Sequence, residues 1–299
     1  LIVGRDGNCG LQYEHAPAEG PPIMALISHI LDFIKTINEP IKPSTNVLPL
    51  PKELVLKLDN DLLQDINIAK DNLDVLVNDV TVCCFQFKPF GKNFPKKNRM
   101  SPDAFIQVAL QLAYYKIYKR TAATYESASL RRFRLGRTDT IRSCTNASLR
   151  FCKAMLDSNK TPSERYHLLR AAVEAHKTYT NQALVGEVID RHLLGLKLTA
   201  IESGQNVPEI FMDPAYQTAM HFKISTSQVP STYDLIMCFG PVVPDGYGVC
   251  YNPHEEKFNF SLTSFNSSPE TNANKLAKTL ADSLLEMQSL TVQNEGSKL

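Results

Sequence analysis

One histidine stands in a setting that suits proton transfer. His15 lies in the segment Tyr13-Glu14-His15-Ala16-Pro17-Ala18-Glu19-Gly20, so a carboxylate follows the imidazole in a stretch broken by proline and glycine. An imidazole held on such a turn can act as a general base near neutral pH. The alternative is chance, because the chain has seven histidines and an acid often lies near one of them. No second His or Cys stands nearby at metal-ligand spacing, so no metal site is predicted.

A run of cations leads into a predicted helix start. It consists of Lys88, Lys92, Lys96, Lys97 and Arg99, with no carboxylate among them. In Ser101-Pro102-Asp103, which follows, the serine can cap the helix, the proline suits its first turn and the acid meets the positive end of the helix dipole. Cations beside the free N–H groups of a helix start suit a phosphate group. A solvated loop is the alternative that charge alone leaves open.

Hydroxyl groups are dense in other parts of the chain. The segments 124–127 and 135–143 contain many of them, together with arginines in the second segment; such groups can bind a small carboxylate or merely make hydrogen bonds within loops. Arg191 adds a cation on a predicted helix. The run Ser225-Thr226-Ser227 before Pro230 predicts either a group that stabilises an oxyanion or an ordinary turn. Neither G-x-S-x-G nor G-x-G-x-x-G occurs at these places, which argues against a serine hydrolase and a dinucleotide fold.

The elements that must position these residues follow from hydrophobic spacing. The predicted helices span 23–34, 59–78, 101–120, 187–201 and 270–290, and one more opens at the capping box Thr161-Pro162-Ser163-Glu164. The predicted strands span 80–87, 234–239, 247–251 and 257–265. Prolines at 40, 43, 49 and 51 mark a linker. Helices and strands mixed along one chain predict an α/β or α+β fold with a mixed sheet.

Length and composition exclude several classes of protein. A chain of 299 residues predicts about two domains. The net charge is +1, so the basic excess that is typical of nucleic-acid and membrane-surface proteins is missing. The longest apolar stretch, Ile23–Ile34, is too short and too polar to span a bilayer. Seven cysteines without a C-x-x-C pair predict free thiols in a reducing compartment.

In this order and over nearly the whole chain, these segments resemble the carnitine/choline acyltransferase family. The most specific ones are YEHAPAEGPP (13–22), FGKNFPK (90–96), SPDAFIQ (101–107), TYESASLRRFRLGRTDTIRS (124–143), DRHLLGLK (190–197), STSQVP (225–230) and FGPVVPDGYGVCYN (239–252). The resemblance implies reversible acyl transfer between coenzyme A (CoA) and the carnitine hydroxyl. It also implies that His15 is the general base and that Ser227 stabilises the oxyanion.

The resemblance also implies two sets of binding residues. Those for CoA are Lys92, Lys96, Ser101, Asp103, Lys177 and Gln228. Those for carnitine are Tyr125, Ser127, Thr138, Arg191, Glu19, Ser225 and Phe239. Phe239 is expected at the trimethylammonium end as a cation–π surface. Carnitine and acyl-CoA are the expected partners, with no tightly bound cofactor, no metal and no nucleic acid.

Two details concern the substrates. The family's choline-specific members lack the Thr-Asp-Thr run that this chain has at 138–140, so an acceptor with a carboxylate is favoured. Met237 matches a bulky residue that closes the acyl pocket, which predicts acetyl and other short acyl groups; a medium-chain enzyme is the alternative. Two residues depart from the family pattern: Ser28 replaces an acid in that pocket, and Lys177 replaces an arginine, which keeps the charge but loses the bidentate fork.

The family fold implied by the resemblance is α/β, with two related domains of the chloramphenicol acetyltransferase type, mixed sheets and flanking helices. Residues 1–57 are predicted to be the C-terminal end of the domain that carries His15, most of which is missing. Residues 58–299 are predicted to be the second domain, with the CoA and carnitine sites. The chain begins with Leu1 rather than Met, which suggests a fragment. A non-catalytic fragment or isoform that binds CoA is therefore a second hypothesis.

The chain ends in Ser297-Lys298-Leu299, a tripeptide that serves as a peroxisomal address. It predicts a peroxisomal location and binding to the peroxisomal import receptor. Alternative starts would allow a mitochondrial form as well. The expected oligomeric state is a monomer.

Overall fold

The computed structural model describes residues 1–16, 18–38, 49–50 and 52–296. It divides into two units, Leu1–Asn78 and Asp79–Leu299. The predicted domain boundary lay after residue 57, before the second long helix rather than after it. That boundary concerns the domains of the family fold, and it stays a prediction.

The first unit holds a short hairpin and two helices. Strand β1 (Ile2–Val3) pairs antiparallel with β2 (Cys9–Gly10). Helix α1 (Gly20–Thr36) begins with proline in its first turn, and α2 (Asn60–Asp79) follows. Both helices confirm the periodicity of the sequence, although none of the residues of α2 is buried. The predicted linker falls mostly on 39–48 and 51, outside the described residues.

The second unit is built on one mixed sheet. Its strands are β3 (Val80–Phe87), β4 (Thr124–Ser129), β5 (Thr138–Arg142), β6 (Ile224–Gln228), β7 (Tyr247–Pro253) and β8 (Phe258–Phe265). They lie in the order β3-β8-β7-β6-β4-β5. Strand β6 runs parallel to both β4 and β7, and the other pairs are antiparallel. The predicted α/β class with a mixed sheet is confirmed.

Helices flank this sheet. They are α3 (Asn93–Lys97), α4 (Pro102–Tyr118), α5 (Asn146–Leu156), α6 (Pro162–Leu184), α7 (Asp190–Glu202), α8 (Pro214–Met220) and α9 (Ala273–Gly296). A 3₁₀ turn at Glu209–Phe211 precedes α8. The predicted capping groups are present, since the Ser101 hydroxyl accepts from Ala104 N and the Thr161–Glu164 box closes in both directions. Within the described ranges, every helix is too short or too polar to cross a membrane.

Helix α4 forms the centre of the core. Its residues from Ala104 to Tyr114 are all buried, because the helix is apolar almost all round and lies among the sheet, α5, α6 and α9. Two of these buried residues, Gln107 and Gln111, are polar. The Gln107 amide donates to Thr226 Oγ1 and Tyr251 Oη, each at 2.9 Å, and the Gln111 amide donates to Thr124 Oγ1 at 3.0 Å. These bonds fix the helix against three strands of the sheet.

The prediction of a strand over 234–239 is wrong. This segment is extended, but it has no backbone ladder. Its carbonyl groups at Leu235, Met237 and Phe239 accept instead from side chains of β8, namely Asn259 Nδ2 at 3.2 Å, Ser261 Oγ at 2.5 Å and Thr263 Oγ1 at 2.7 Å. The carbonyl group of every second residue in this segment therefore binds a side chain of β8. These contacts, rather than pairing with another strand, account for the alternating pattern in the sequence.

The alternative of an ordinary turn at Ser225–Pro230 is also wrong, because Ile224–Gln228 is the strand β6. The sequence analysis missed β4 and β5 as well. These three strands are short and rich in hydroxyl groups, so they lack the apolar alternation on which strand prediction depends. The candidate site residues nevertheless lie mostly on them.

A glycine substitution tests how tightly the α3 segment is held. A Cβ atom on Gly91 would lie 2.3 Å from the backbone oxygen of Glu255, whereas nothing lies within 4 Å of a Cβ atom on Gly195 in α7. We expect Gly91→Ala to lower the free energy of unfolding by about 1–3 kcal/mol. Gly195→Ala should raise it by about 0.5–1 kcal/mol, since alanine favours a helix. Urea denaturation of both variants measures this, and equal effects would contradict the packing described.

Candidate functional site

His15 lies in the first unit, on the segment that leads into α1. Its side chain is 61% exposed, and Nδ1 lies 3.9 Å from Oε2 of Glu19. The Tyr13 ring lies 5.6 Å away, centroid to centroid. The imidazole is therefore exposed in the first unit rather than enclosed in hydrocarbon. Arg191, the predicted partner of Glu19, belongs to the second unit.

In the second unit, the register of the sheet separates the predicted residues onto two faces. Successive side chains of a strand point to opposite faces. Tyr125 pairs with Ser225 across β4 and β6, and Ser127 pairs with Thr140 across β4 and β5. Ser227 follows Ser225 on the same side of β6. We call this side the hydroxyl face.

The opposite side is covered by α4 and α6, and we call it the helix face. It carries Glu126, Thr226 and Gln228. Thr226 Oγ1 accepts from Gln107 of α4 at 2.9 Å, and Glu126 contacts His176 of α6.

A cavity of about 380 Å³ opens on the helix face. Four of the predicted CoA residues line it: Ser101, Asp103, Lys177 and Gln228. They come from the start of α4, from α6 and from the end of β6, and so from distant parts of the sequence. Ser127, which is predicted to bind carnitine, is also among the lining residues.

The other two predicted CoA residues lie on α3. Lys92 is the N-cap of this helix and is half-buried, while Lys96 is exposed one turn later. The Lys92 backbone N–H donates to the carbonyl of His254 at 2.8 Å. Arg170 of α6 holds the segment that connects α3 to α4 through the carbonyl of Asn98, at 2.6 Å. Both ammonium groups therefore stand on a tethered segment that leads to the capped start of α4.

Two arginines organise the edge of the hydroxyl face. The Arg191 guanidinium donates to the Thr138 carbonyl at 2.9 Å and to its hydroxyl at 3.3 Å. Arg142 makes a bidentate pair with Asp190, at 3.0 and 2.6 Å. The structure thus brings together Thr138 and Arg191, as predicted for a carboxylate site. It also shows Arg142 occupied by a protein carboxylate.

Met237 and Phe239 lie on the extended segment that β8 holds. Met237 is half-buried, and it lines a very small cavity of about 10 Å³ together with Val229, Cys250 and Tyr251. Phe239 is also half-buried. Little free volume is left beside the Met237 side chain.

The sequence analysis missed a buried polar group at the wall of the large cavity. Tyr251 Oη donates to Asp103 Oδ1 at 2.6 Å, and His176 Nε2 lies 2.8 Å from Glu126 Oε2. Burial raises the pKa of Asp103 and of Glu126 to about 7 in each case. Burial lowers the pKa of His176. The only signal in the sequence was that Glu126 stands between two predicted site residues and His176 directly precedes a third.

Comparison with known proteins gives a consistent result. The family model described as Choline/Carnitine o-acyltransferase matches residues 1–282. The chain is 54% identical to carnitine O-acetyltransferase of Columba livia and of Homo sapiens, with all of this chain and 48% of each relative covered. It is 42% identical to choline O-acetyltransferase of Rattus norvegicus, over 97% of this chain and 46% of the relative. The chain spans about half the length of the curated relatives it matches.

Among solved structures, a chloramphenicol acetyltransferase is similar with a TM-score of 0.43 at 9% identity, over 73% of this chain and 94% of that one. A holo T3CT structure has a TM-score of 0.42 at 12% identity, over 71% of this chain and 46% of that one.

Proposed function

Because the chain belongs to the choline/carnitine O-acyltransferase family, we propose that the protein transfers a short acyl group, above all acetyl, reversibly between CoA and the hydroxyl of carnitine. The observation that carries this proposal is the separation of the predicted residues onto two faces of one sheet. Four CoA residues share one cavity on the helix face. Of the hydroxyl groups predicted to meet carnitine, those of Tyr125 and Ser225 lie on the other face, while Ser127 also borders the cavity.

Strand β6 joins the two sides. Gln228 lines the CoA cavity, while Ser225 and Ser227 alternate to the hydroxyl face. A thioester that enters from the helix face and an alcohol that binds on the hydroxyl face would both reach this strand. Two substrates held at one place no longer need a three-body encounter with the base.

The reaction requires a base and oxyanion donors. His15 takes the proton of the carnitine hydroxyl while its oxygen attacks the thioester carbonyl carbon. The Ser227 hydroxyl donates to the oxyanion of the tetrahedral adduct. The carbon–sulfur bond then breaks, and the proton passes from the imidazolium to the CoA thiolate. Acyl-carnitine and CoA are formed without a covalent enzyme intermediate.

The charges of CoA and carnitine suggest roles for the remaining predicted residues. Lys92 and Lys96 bind the CoA phosphates next to the start of α4, where free N–H groups favour anions. Tyr125, Ser127, Ser225 and the Thr138–Arg191 pair bind the carnitine carboxylate, with Glu19 as the acidic partner of Arg191. Phe239 offers an aromatic surface to the trimethylammonium group.

We also propose a peroxisomal location, since the tripeptide Ser297-Lys298-Leu299 is a peroxisomal address. The import receptor would be its partner, and a mitochondrial form from another start remains part of this proposal. The tripeptide lies outside the described residues. A monomer is the proposed oligomeric state.

Removing the base tests the mechanism. We expect His15→Ala to lower kcat at least ~100-fold, because a positioned general base contributes about 10²–10⁴-fold. His29→Ala, at an exposed position on α1, is the matched control and should keep its activity. Steady-state kinetics of acetyl transfer measure both. Activity of His15→Ala near that of the control would remove His15 from the mechanism, and an inactive wild type that still binds CoA would favour the non-catalytic hypothesis.

Removing the carboxylate site tests substrate assignment. The double variant Thr138→Ala with Arg191→Ala should raise KM for carnitine at least tenfold, because hydrogen bonds to charged groups contribute about 1.5–3 kcal/mol. KM for acetyl-CoA should change far less. Arg131→Ala, on the same hairpin, is the control. Equal changes in both KM values would contradict the assignment.

The acyl pocket can be tested by opening it. Met237→Gly should raise the ratio of octanoyl to acetyl transfer at least tenfold, because each buried methylene contributes about 0.8 kcal/mol. Met212→Gly, at a residue that is 65% exposed, is the control for the loss of a methionine. A ratio that stays constant in Met237→Gly would show that the pocket lies elsewhere.

A further inference from the structure

Two carboxyl groups, the half-buried Asp103 and the buried Glu126, lie close together in the wall of the large cavity. Asp103 begins α4 and Glu126 lies on β4; the Glu126 side chain is 5% exposed. Their oxygens and a ring nitrogen of His176 all lie within 4.8 Å of one another. Two ionised carboxylates at this distance inside a protein repel each other strongly. The arrangement therefore needs an explanation.

Three hydrogen-bonding groups contact the two carboxyl groups. Tyr251 Oη donates to Asp103 Oδ1 at 2.6 Å. His176 Nε2, as the protonated nitrogen of a neutral ring, donates to Glu126 Oε2 at 2.8 Å. Ser143 Oγ reaches the same oxygen at 3.4 Å. An oxygen of Asp103 and an oxygen of Glu126 lie within 4.8 Å of each other, and a proton on one of the two groups removes the repulsion between two like charges.

Cations near the pair do not replace that proton. In the described part of the chain, no lysine or arginine forms an ion pair with either carboxyl group. Lys177, which lines the same cavity, pairs with Glu174 at 3.5 Å. The groups that contact the pair are Ser143 after β5, His176 of α6 and Tyr251 of β7, all of which are neutral in this arrangement.

We propose that Asp103 and Glu126 share one proton, that His176 is the positioning residue which fixes this proton between them, and that the cavity binds anionic acyl-CoA well only while the proton is present. This inference rests on the proposed function. Without the proton, the wall carries two negative charges instead of one. Both would face the entry of a ligand that is itself an anion.

The pKa values of the two carboxyl groups indicate the pH at which the shared proton is lost. Burial raises the pKa of both carboxyl groups to about 7, and because the two groups are coupled these values belong to the pair, whose last proton leaves as the pH rises through about 7. Burial lowers the pKa of His176, which therefore stays neutral over the same range and does not compensate the new charge. Affinity for CoA should thus fall on the alkaline side of neutrality.

Calorimetric titration of CoA into the full chain at a series of pH values between about 6 and 8.5 tests the ligand half of the inference. We expect the wild-type Kd to rise at least threefold more than that of Glu126→Gln, which cannot acquire the second charge. Glu187→Gln removes an exposed charge just after α6 and should behave like wild type. Protonation of CoA itself changes with pH in the same way in all three experiments, so it does not affect the comparison between the proteins. Identical pH profiles for wild type and Glu126→Gln would overturn the proposal.

Infrared spectroscopy tests the shared proton without CoA. Wild type at pH about 6 should show the band of a buried protonated carboxyl group, which disappears as the pH rises through about 7 and is missing in the double variant Asp103→Asn with Glu126→Gln. Absence of the band in wild type at the lower pH would overturn the proposal, whether both groups are ionised because of a bound cation or for another reason. A band that titrates in a protein unable to bind CoA would instead show that the proposed function is wrong.

The role of His176 has its own readout. His176→Leu removes the donor to Glu126, which disfavours the ionised form, so the carboxyl band should persist to a higher pH than in wild type. His176→Gln offers an amide N–H in its place and should restore the wild-type profile. If both variants titrate like wild type, His176 does not position the proton. Should the leucine variant fail to fold, an altered profile of the glutamine variant would still count against the assignment.

Discussion

The register of β6 between β4 and β7 determines the chemistry of the second unit. Thr226 fixes it, since its hydroxyl donates to the Tyr125 carbonyl at 2.8 Å and accepts from Gln107 of the buried helix α4 at 2.9 Å. A slip by one residue would exchange the faces of every side chain on the strand. Gln228 would then leave the cavity, and Ser227 would face the helices. The two-sided arrangement therefore depends on one buried threonine and its glutamine partner.

The buried polar groups around β6 destabilise the folded state unless they are hydrogen-bonded. Gln107, Gln111, Thr226 and Glu126 are all enclosed, and each must find hydrogen-bond partners to avoid a penalty of about 1–3 kcal/mol. Most do so across elements rather than within them, which ties α4 and α6 to the sheet. The Gln107 side-chain oxygen has no partner within the described residues. The surroundings of the cavity of about 380 Å³ are in this way polar and hydrogen-bonded across several elements.

Much of the fold could be predicted from the sequence, and the failures have physical causes. Long amphipathic helices and the apolar strands β3, β7 and β8 leave periodic signals, and they were predicted correctly, as were the cap at Ser101 and the capping box at Thr161–Glu164. The hydroxyl-rich strands β4, β5 and β6 do not leave such signals, because their stability comes from pairing and from polar contacts to α4 and α6. The segment 234–239 imitates a strand since β8 side chains bind every second carbonyl. Site residues were reached through family resemblance, whereas Glu126 and His176 became visible only when the fold placed them beside Asp103.

The central claim is that CoA and carnitine occupy opposite faces of one sheet and meet at β6. Calorimetric titration of carnitine into protein already saturated with CoA tests it most directly. The account predicts that carnitine still binds, with a Kd within about tenfold of its value without CoA, a difference of at most about 1.4 kcal/mol. Carnitine binding that is abolished by CoA, and restored when CoA is removed, would place both ligands on the same face and contradict the account.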